Sequence, residues 1–213
     1  MRFWQRRRDV RVLPADCRRG ECRPEAVAGH RARYGGDDNE PVEVRLARPG
    51  DAAQIGLVHV RSWQRTYRGL LPQEYLDSLD PGRRAGDWKR WLEQPDSPRS
   101  ATLVIGTGAR VDGFASVGPA RDEGQSPELV GEIRAIYLRP DAWGHGLGRQ
   151  LIAAAVERMA AAGFTQATLW VLDGNARARR FYDAGGWAVD GAVKHDDSRG
   201  FPMTEVRYRR PLQ

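Results

Sequence analysis

The chain has 213 residues, 40% of them hydrophobic, and a formal net charge of +6, which suits one domain with an extension and a sizeable core. No apolar run reaches membrane-span length, and no charged-then-apolar signal segment opens the chain. Because the only cysteines, Cys17 and Cys22, lie near the start of the chain, we expect a reduced, cytoplasmic protein without a core disulfide. The lack of a span-length apolar run predicts that the protein has no membrane partner.

Residues 1–40 are predicted to form a basic N-terminal extension without stable structure. The first 35 residues carry ten arginines against four acidic residues, a surplus that equals the net charge of the whole chain. Residues 35–41 have the composition of a linker. Basic extensions can bind nucleic acid or anionic membrane, but a disordered segment without its own function is the simpler interpretation. A metal site built from Cys17, Cys22 and His30 is disfavoured by their loose spacing.

From Val42 onward, strand and helix patterns alternate and predict a mixed α/β domain over residues 41–213. Residues 42–47 are predicted as the first strand, and Asp51 is expected to cap a helix that carries Ile55 and Trp63 on one face. The later predicted elements are helices 73–79 and 82–92, strands 101–105, 113–117 and 130–138, helix 146–162, strand 167–172, helix 176–184, and strands 187–193 and 203–209.

The most informative segment joins the predicted strand 130–138 to the helix after it. Residues 144–148 are Gly-His-Gly-Leu-Gly, so free backbone N–H groups would meet the positive end of a helix dipole and could hold phosphate. Glycine is needed where a side chain would block the phosphate or forbid positive φ. The segment is not a Walker loop, which needs a lysine, and Arg149 stands where a dinucleotide-binding turn has its third glycine. An ordinary strand–helix turn is the alternative.

Two stretches resemble signatures of the GNAT acyltransferase superfamily. Residues 139–148 are similar to its acetyl-CoA pyrophosphate loop, Arg/Gln-x-x-Gly-x-Gly/Ala, with Trp143 as a departure at the first position. The second signature, Asn-x-x-Ala-x-x-Phe-Tyr-x-x-x-Gly-Trp/Phe, is matched by Asn175, Ala178, Phe181, Tyr182, Gly186 and Trp187. Two motifs in the family's order argue against coincidence, and the resemblance covers residues 42–210.

The resemblance implies a mostly antiparallel sheet that splays at its central strand and is flanked by helices. It also implies acetyl-CoA as co-substrate and no metal, with the N–H of Leu138 stabilising the thioester oxyanion and the backbone of Pro140 beside the pantetheine arm. Asn175 suits a helix N-cap and, by the resemblance, also reaches the pantetheine. The cofactor-binding residues expected on this basis are Ile136, Tyr137, Leu138, Trp143, Gly144, His145, Gly146, Leu147, Gly148, Arg149, Asn175, Ala178 and Phe181.

Tyr182 and Glu132 are the predicted catalytic residues. By the resemblance, Tyr182 protonates the departing thiolate; simple packing beside Phe181 is the alternative. Glu132 stands where the histone-acetylating branch of the superfamily has its catalytic glutamate, and strand alternation predicts it on the same face as Leu138. A carboxylate there could deprotonate an amine whose pKa is about 10. The alternative is a surface glutamate paired with Arg134.

Trp63 and Tyr67 lie four residues apart on one helix face, in the region where the resemblance implies an acceptor pocket. Contact with an amine or a ring is predicted for them, with core packing as the alternative. The predicted activity is direct transfer of acetyl from acetyl-CoA to a primary amine of a small molecule or peptide in a ternary complex. The alternative is a non-catalytic CoA-binding module whose basic extension recruits a partner or nucleic acid. Homodimerisation is left open.

Overall fold

A computed structural model describes residues 41–94 and 97–212 of the protein. The predicted basic extension and the three residues weighed there as metal ligands lie outside this range, so those statements stay predictions. Within the described ranges, no helix has the length and apolar character needed to cross a membrane. The same residues contain no group of three His, Cys, Asp or Glu side chains that could hold a metal ion.

The described residues form a mixed α/β domain, as predicted, with seven strands and five α-helices. The strands are β1 (Glu43–Leu46), β2 (Ala101–Gly106), β3 (Gly113–Pro119), β4 (Val130–Leu138), β5 (Gln166–Leu172), β6 (Ala188–Asp196) and β7 (Met203–Pro211). The helices are α1 (Ala52–Thr66), α2 (Gln73–Asp77), α3 (Pro81–Leu92), α4 (Leu147–Ala161) and α5 (Ala176–Ala184).

One sheet contains all seven strands in the order β1-β2-β3-β4-β5-β7-β6. Every neighbouring pair is antiparallel except β4 and β5, which run parallel. Their pairing extends only from Val130 opposite Gln166 to Ile133 opposite Leu169. Both strands continue beyond these residues without pairing to each other, so a gap opens between their carboxyl ends. The predicted splay at the central strand is therefore confirmed.

A β-bulge in β4 reverses the side-chain alternation of this strand. Ser116 of β3 faces Ala135, but its neighbour Val117 faces Ile133, so Arg134 is an extra residue on β4. Ile133 packs into the hydrophobic cluster beneath α4. Beyond the bulge Ile136 packs on that same cluster, whereas simple alternation would have placed it on the other face.

The two faces of the sheet carry separate hydrophobic clusters. Leu151, Ala155 and Met159 of α4 pack on one face, because their spacing of three to four residues puts them on one side of the helix. Ile55 and Trp88, from α1 and α3, pack on the other face. A ligand that enters the gap between β4 and β5 can therefore meet residues of both faces.

Asp51 departs from its predicted capping role. It occupies the N-cap position of α1, but its carboxylate makes no cap hydrogen bond to that helix. Its two oxygens instead accept hydrogen bonds from Arg45 at 2.8 Å each, and one also accepts from the N–H of Arg48 at 2.7 Å. The hydrogen bond from Arg45 lowers the pKa of Asp51 below its usual value. The bidentate ion pair thus ties β1 to the start of α1.

Candidate active site

The glycine-rich turn lies at the surface, at the amino end of α4. Gly144 and Gly146 have φ angles of +86° and +81°, a conformation that residues with a side chain rarely adopt. A Cβ added at either position would meet no atom within 4 Å. Of the two predicted reasons for glycine, positive φ is therefore the one visible in the turn itself. Gly146 is the N-cap of α4, so the first N–H groups of the helix point outward past it.

The backbone of Leu138 is directed into the gap between β4 and β5. The N–H of Arg139 donates to the carbonyl of Asp112 at 2.7 Å, which makes these two residues a hydrogen-bonded pair of the β3–β4 ladder. Hydrogen-bonded and non-bonded pairs alternate in an antiparallel ladder, so Leu138, opposite Gly113, turns its N–H away from β3. That N–H therefore points to the side where β5 has separated, as an oxyanion donor requires.

Trp143 closes the turn against the end of β4. Its Nε1–H donates a hydrogen bond to the carbonyl oxygen of Leu138 at 3.2 Å. Trp143 therefore binds the carbonyl of Leu138 and does not bind its N–H. On the face of the indole ring lies the guanidinium of Arg177, 3.8 Å from the ring centroid. Trp143 thus links the end of β4, the glycine turn and the first turn of α5.

Tyr182 is buried on the α4 face of the sheet. Its ring makes edge contacts with Phe181 and Trp187, at centroid distances of 5.3 and 6.2 Å, and a tilted contact with Tyr208 at 5.7 Å. Burial, reinforced by Tyr137, raises the pKa of Tyr182. The hydroxyl therefore keeps its proton at neutral pH, and a general acid must carry one.

Three tyrosines from both faces of the sheet lie close enough to influence one another's pKa. Tyr182 belongs to the cluster under α4, whereas Tyr137 packs with the cluster under α1 and α3. Even so, Tyr137 raises the pKa of Tyr182. The pKa of Tyr67 is raised mainly by burial, then by Tyr137, and to a smaller extent by Tyr182. Such mutual influence needs proximity, and the unpaired segment of β4 and β5 is the route by which side chains from opposite faces approach.

Glu132 does not share a face with Leu138, so that prediction was wrong. It lies opposite Gly118, on the face that carries Tyr137, because the bulge at Arg134 reverses the alternation between residues 132 and 138. It is 4% exposed. Its carboxylate accepts two hydrogen bonds from Arg121, one of them from Nε at 2.8 Å. The alternative pairing is also not observed, since Arg134 donates to the carbonyl of Pro119 at 3.0 Å.

An aromatic wall covers the α1 side of the gap. Trp63 and Tyr67 contact each other edge-on at 5.0 Å, and both are partly exposed. Tyr75 of α2 and Phe201, from the segment before β7, form a second edge-on pair at 4.9 Å. The Trp63 Nε1–H approaches the Tyr137 hydroxyl, but it is buried without an acceptor at hydrogen-bond geometry in residues 41–94 and 97–212.

His59 completes this wall as a neutral ring. It stacks on Tyr137 at 5.0 Å with an interplanar angle of 21°, and its Nδ1 accepts a hydrogen bond from Trp88 Nε1 at 3.2 Å. Burial, assisted by Arg84 and Arg199, lowers the pKa of His59 to about 3. Because Nδ1 is an acceptor, the single proton of the neutral ring lies on Nε2.

Comparison with known families agrees with this geometry. The model described as the acetyltransferase (GNAT) family matches residues 60–187, which include the gap, the glycine turn and Tyr182. The chain belongs to the GNAT family. The predicted enzyme class, N-acetyltransferase, is thereby confirmed at the level of the family.

Individual relatives extend the match over most of the described GNAT domain. The uncharacterized N-acetyltransferase YuaI of Bacillus subtilis is 35% identical over 134 residues, covering 63% of this chain and 73% of YuaI. Among solved structures, PaiA N-acetyltransferase of Thermoplasma acidophilum in complex with coenzyme A has a TM-score of 0.65 at 20% identity, covering 80% of this chain and 98% of PaiA. YncA of Salmonella typhimurium with acetyl-CoA has a TM-score of 0.61 at 20% identity, covering 81% of this chain and 94% of YncA. The two structures support the GNAT fold.

Several predicted cofactor residues of this GNAT protein lie at the end of β4 and in the turn before α4. Ile136 and Leu138 border the gap, and the glycine turn follows them. Leu147 is buried, so only its backbone is available to a ligand. The Asn175 side chain accepts from the N–H of Ala178 at 3.1 Å, which confirms its capping role. Ligand contact by each of these residues stays a prediction.

Several residues of the candidate site were missed from sequence. His59 stands four residues before Trp63 on α1, a spacing that could have joined it to the predicted aromatic pair. Tyr75 and Phe201 gave no such signal, because α2 and the segment before β7 approach α1 only in the folded protein. Arg177 lies inside the second motif, but its contact with Trp143 cannot be inferred from spacing.

Proposed function

We propose that this GNAT protein transfers an acetyl group from acetyl-CoA directly to a primary amine of a small molecule or peptide, in a ternary complex. The observation that carries the proposal is the gap between β4 and β5. The glycine-rich turn lies at its edge, the Leu138 N–H points into it, and Tyr137 and Tyr182, from opposite faces, lie within electrostatic range of each other.

Each residue then has one task in the transfer. The amine nitrogen forms a bond to the thioester carbonyl carbon, and the N–H of Leu138 stabilises the oxygen that becomes negative. The carbon–sulfur bond breaks, and the thiolate takes the proton of the Tyr182 hydroxyl. The amine releases one proton to water, and water returns a proton to the Tyr182 phenolate, so no net charge accumulates. The only cysteines, Cys17 and Cys22, precede the described domain, which favours direct transfer over an acyl-enzyme.

The acceptor amine would approach from the face of α1. Trp63 and Tyr67 line that side with their aromatic rings. Glu132 also lies on this face, which supports its proposed role in removing the amine proton through water. The hydrogen bonds from Arg121 hold the carboxylate in place.

The test is a screen of amines, polyamines, aminoglycosides, amino acids and peptides against acetyl-CoA, with release of free CoA thiol as the readout. We expect at least one primary amine to give thiol release and an N-acetylated product of the matching mass. In the Glu132→Gln variant, the acidic limb of the pH–rate profile should change, because that limb reports removal of the amine proton.

A protein that binds acetyl-CoA but acetylates no amine of the screen would contradict the proposed activity and favour a non-catalytic CoA-binding module. Loss of activity in Cys17→Ser or Cys22→Ser variants would contradict direct transfer.

A further inference from the structure

The position of Arg177 is set by an aromatic ring. Its guanidinium lies 3.8 Å from the centroid of the Trp143 ring, within the range of a cation–π contact. Trp143 is itself fixed by the hydrogen bond from Nε1 to the carbonyl of Leu138 at 3.2 Å. The cation is therefore held beside the glycine turn, whose residues from Trp143 to Gly148 include no lysine or arginine.

The charge of Arg177 is not neutralised by an acid. Within residues 41–94 and 97–212 it forms no ion pair, whereas Arg179, two residues along the same helix, pairs with Asp173. Burial lowers the pKa of Arg177, and the positive charges of Arg180 and Arg65 lower it further. Three guanidinium groups from α1 and α5 thus lie within electrostatic range of one another.

Uncompensated positive charge at the mouth of a cleft favours an anion. The N–H groups at the start of α4 lie at the same edge of the gap and favour the same sign of charge. An arginine offers planar, charge-assisted hydrogen bonds that match a phosphate group. The CoA nucleotide carries such groups in its pyrophosphate and its 3′-phosphate.

We propose that Arg177, held against Trp143, binds a phosphate group of acetyl-CoA and positions the nucleotide end of the ligand. This inference rests on the proposed function, because that function supplies acetyl-CoA as the ligand. Trp143 then acts as a platform that orients the arginine and reduces the side-chain entropy lost on binding.

The experiment compares the full chain with its Arg177→Ala variant by calorimetry. The probes are acetyl-CoA, acetyl-3′-dephospho-CoA and S-acetylpantetheine, which contains no phosphate. Arg177→Ala should weaken acetyl-CoA binding about tenfold or more, and the affinity of the variant should depend less steeply on salt. The affinity for S-acetylpantetheine should be the same in both proteins. Arg179→Ala is the matched control on the same helix and should bind acetyl-CoA as the wild type does.

The probes distinguish which phosphate is bound. If Arg177→Ala weakens binding of acetyl-CoA but not of the dephospho form, the contact is to the 3′-phosphate. If it weakens both, the contact is to the pyrophosphate. A folded Arg177→Ala protein with wild-type affinity for acetyl-CoA would overturn this inference and leave the proposed function intact. A wild-type protein that binds no acetyl-CoA would instead overturn the proposed function, and this inference with it.

Discussion

At the scale of single residues, environment decides which candidate side chains can move a proton. Tyr182 is buried against three aromatic rings and holds its proton, so it can serve as a donor. Glu132 is also buried, but it is bound to Arg121 and lies on the opposite face from the one predicted. The motif predicts Tyr182 as a catalytic residue, and that role stays a prediction, whereas the geometric reason given for Glu132 failed at the bulge.

Tyr182→Phe removes the hydroxyl and keeps the packing of the ring. If Tyr182 protonates the thiolate, turnover should fall by roughly 10²-fold while acetyl-CoA affinity changes little. The raised pKa of Tyr182 means that the acid is present throughout the neutral range and is lost only as the pH rises through that value. A basic limb that reports Tyr182 should therefore lie above pH 10, and the variant should lack it. Wild-type turnover on the best acceptor, with chemistry shown to be rate-limiting, would exclude this role.

His59 should make the stability of the protein depend on pH. Its pKa is about 3 in the folded protein against an ordinary value of 6.5, so folding favours the neutral ring. The stability that this preference contributes is complete above pH 6.5 and is lost as the pH falls from 6.5 towards 3. Over that interval, His59 changes the free energy of unfolding by up to about 1.4 kcal/mol per pH unit.

The His59→Phe variant isolates that slope. Phenylalanine keeps an aromatic ring against Tyr137 but cannot titrate. Any change that the substitution makes to the free energy of unfolding is the same at every pH, so it does not alter the slope. Denaturant unfolding from pH 7 to pH 4 should show a shallower loss of stability in the variant than in the wild type. Equal slopes would mean that His59 is protonated in the folded protein as readily as in the unfolded chain.

At the scale of elements, the conformation of the glycine turn determines how α4 meets its ligand. Gly146→Val should weaken acetyl-CoA binding tenfold or more, because a β-branched residue resists the φ of +81° and the turn would relax away from it. Calorimetry on the folded variant measures this.

Gly148→Ala is a matched control for backbone strain. Gly148 is not among the glycines of positive φ, and a Cβ there would lie 3.5 Å or more from Phe181 and Leu138, which is ordinary contact. This variant should keep its fold and its melting temperature. If Gly146→Val bound acetyl-CoA as the wild type does, the turn would not be the phosphate site.

The contact between α1 and α3 depends on a second glycine. A Cβ at Gly56 would lie 2.6 Å from the N of Ala85 and 2.8 Å from the carbonyl oxygen of Pro81, both backbone atoms. Gly56→Ala should therefore push the helices apart and lower the free energy of unfolding by about 1–3 kcal/mol. Since α1 carries Trp63, the aromatic wall would shift with it.

Gly86→Ala, on α3, tests the same substitution without crowding. Its nearest contact would be a flexible arginine side chain, Arg90, at 3.7 Å. The change should raise the free energy of unfolding by about 0.5–1 kcal/mol, because alanine loses less conformational entropy in a helix. Denaturant unfolding of both variants should give effects of opposite sign; a neutral Gly56→Ala would contradict the close approach of the helices.

At the scale of the whole molecule, charge is least balanced in the first 35 residues, which carry ten arginines against four acidic residues. Residues 41–213 carry 24 basic against 21 acidic side chains, so their charges are nearly balanced. A protein truncated to begin at Glu40 should fold, melt at the same temperature and keep its acetyl-CoA affinity. Thermal unfolding and calorimetry check this. Aggregation of the truncated protein, or loss of binding, would show that the extension belongs to the domain.

The sequence by itself determined the order of elements, the glycine turn and the tyrosine motif. These are local features: the periods of strand and helix, the conformational freedom of glycine, and short spacings along one helix all act within a few residues. Trp63 and Tyr67 could be paired in the same way, because a helix brings residues four apart into contact.

The tertiary structure alone decided which residues meet across the gap. The bulge at Arg134 arises from pairing with β3, and it moved Glu132 to the face of Tyr137. The contact of Arg177 with Trp143 joins α5 to the end of β4 across more than thirty residues of chain. Strand register and packing between distant elements set these contacts, and neither leaves a local signal in the sequence.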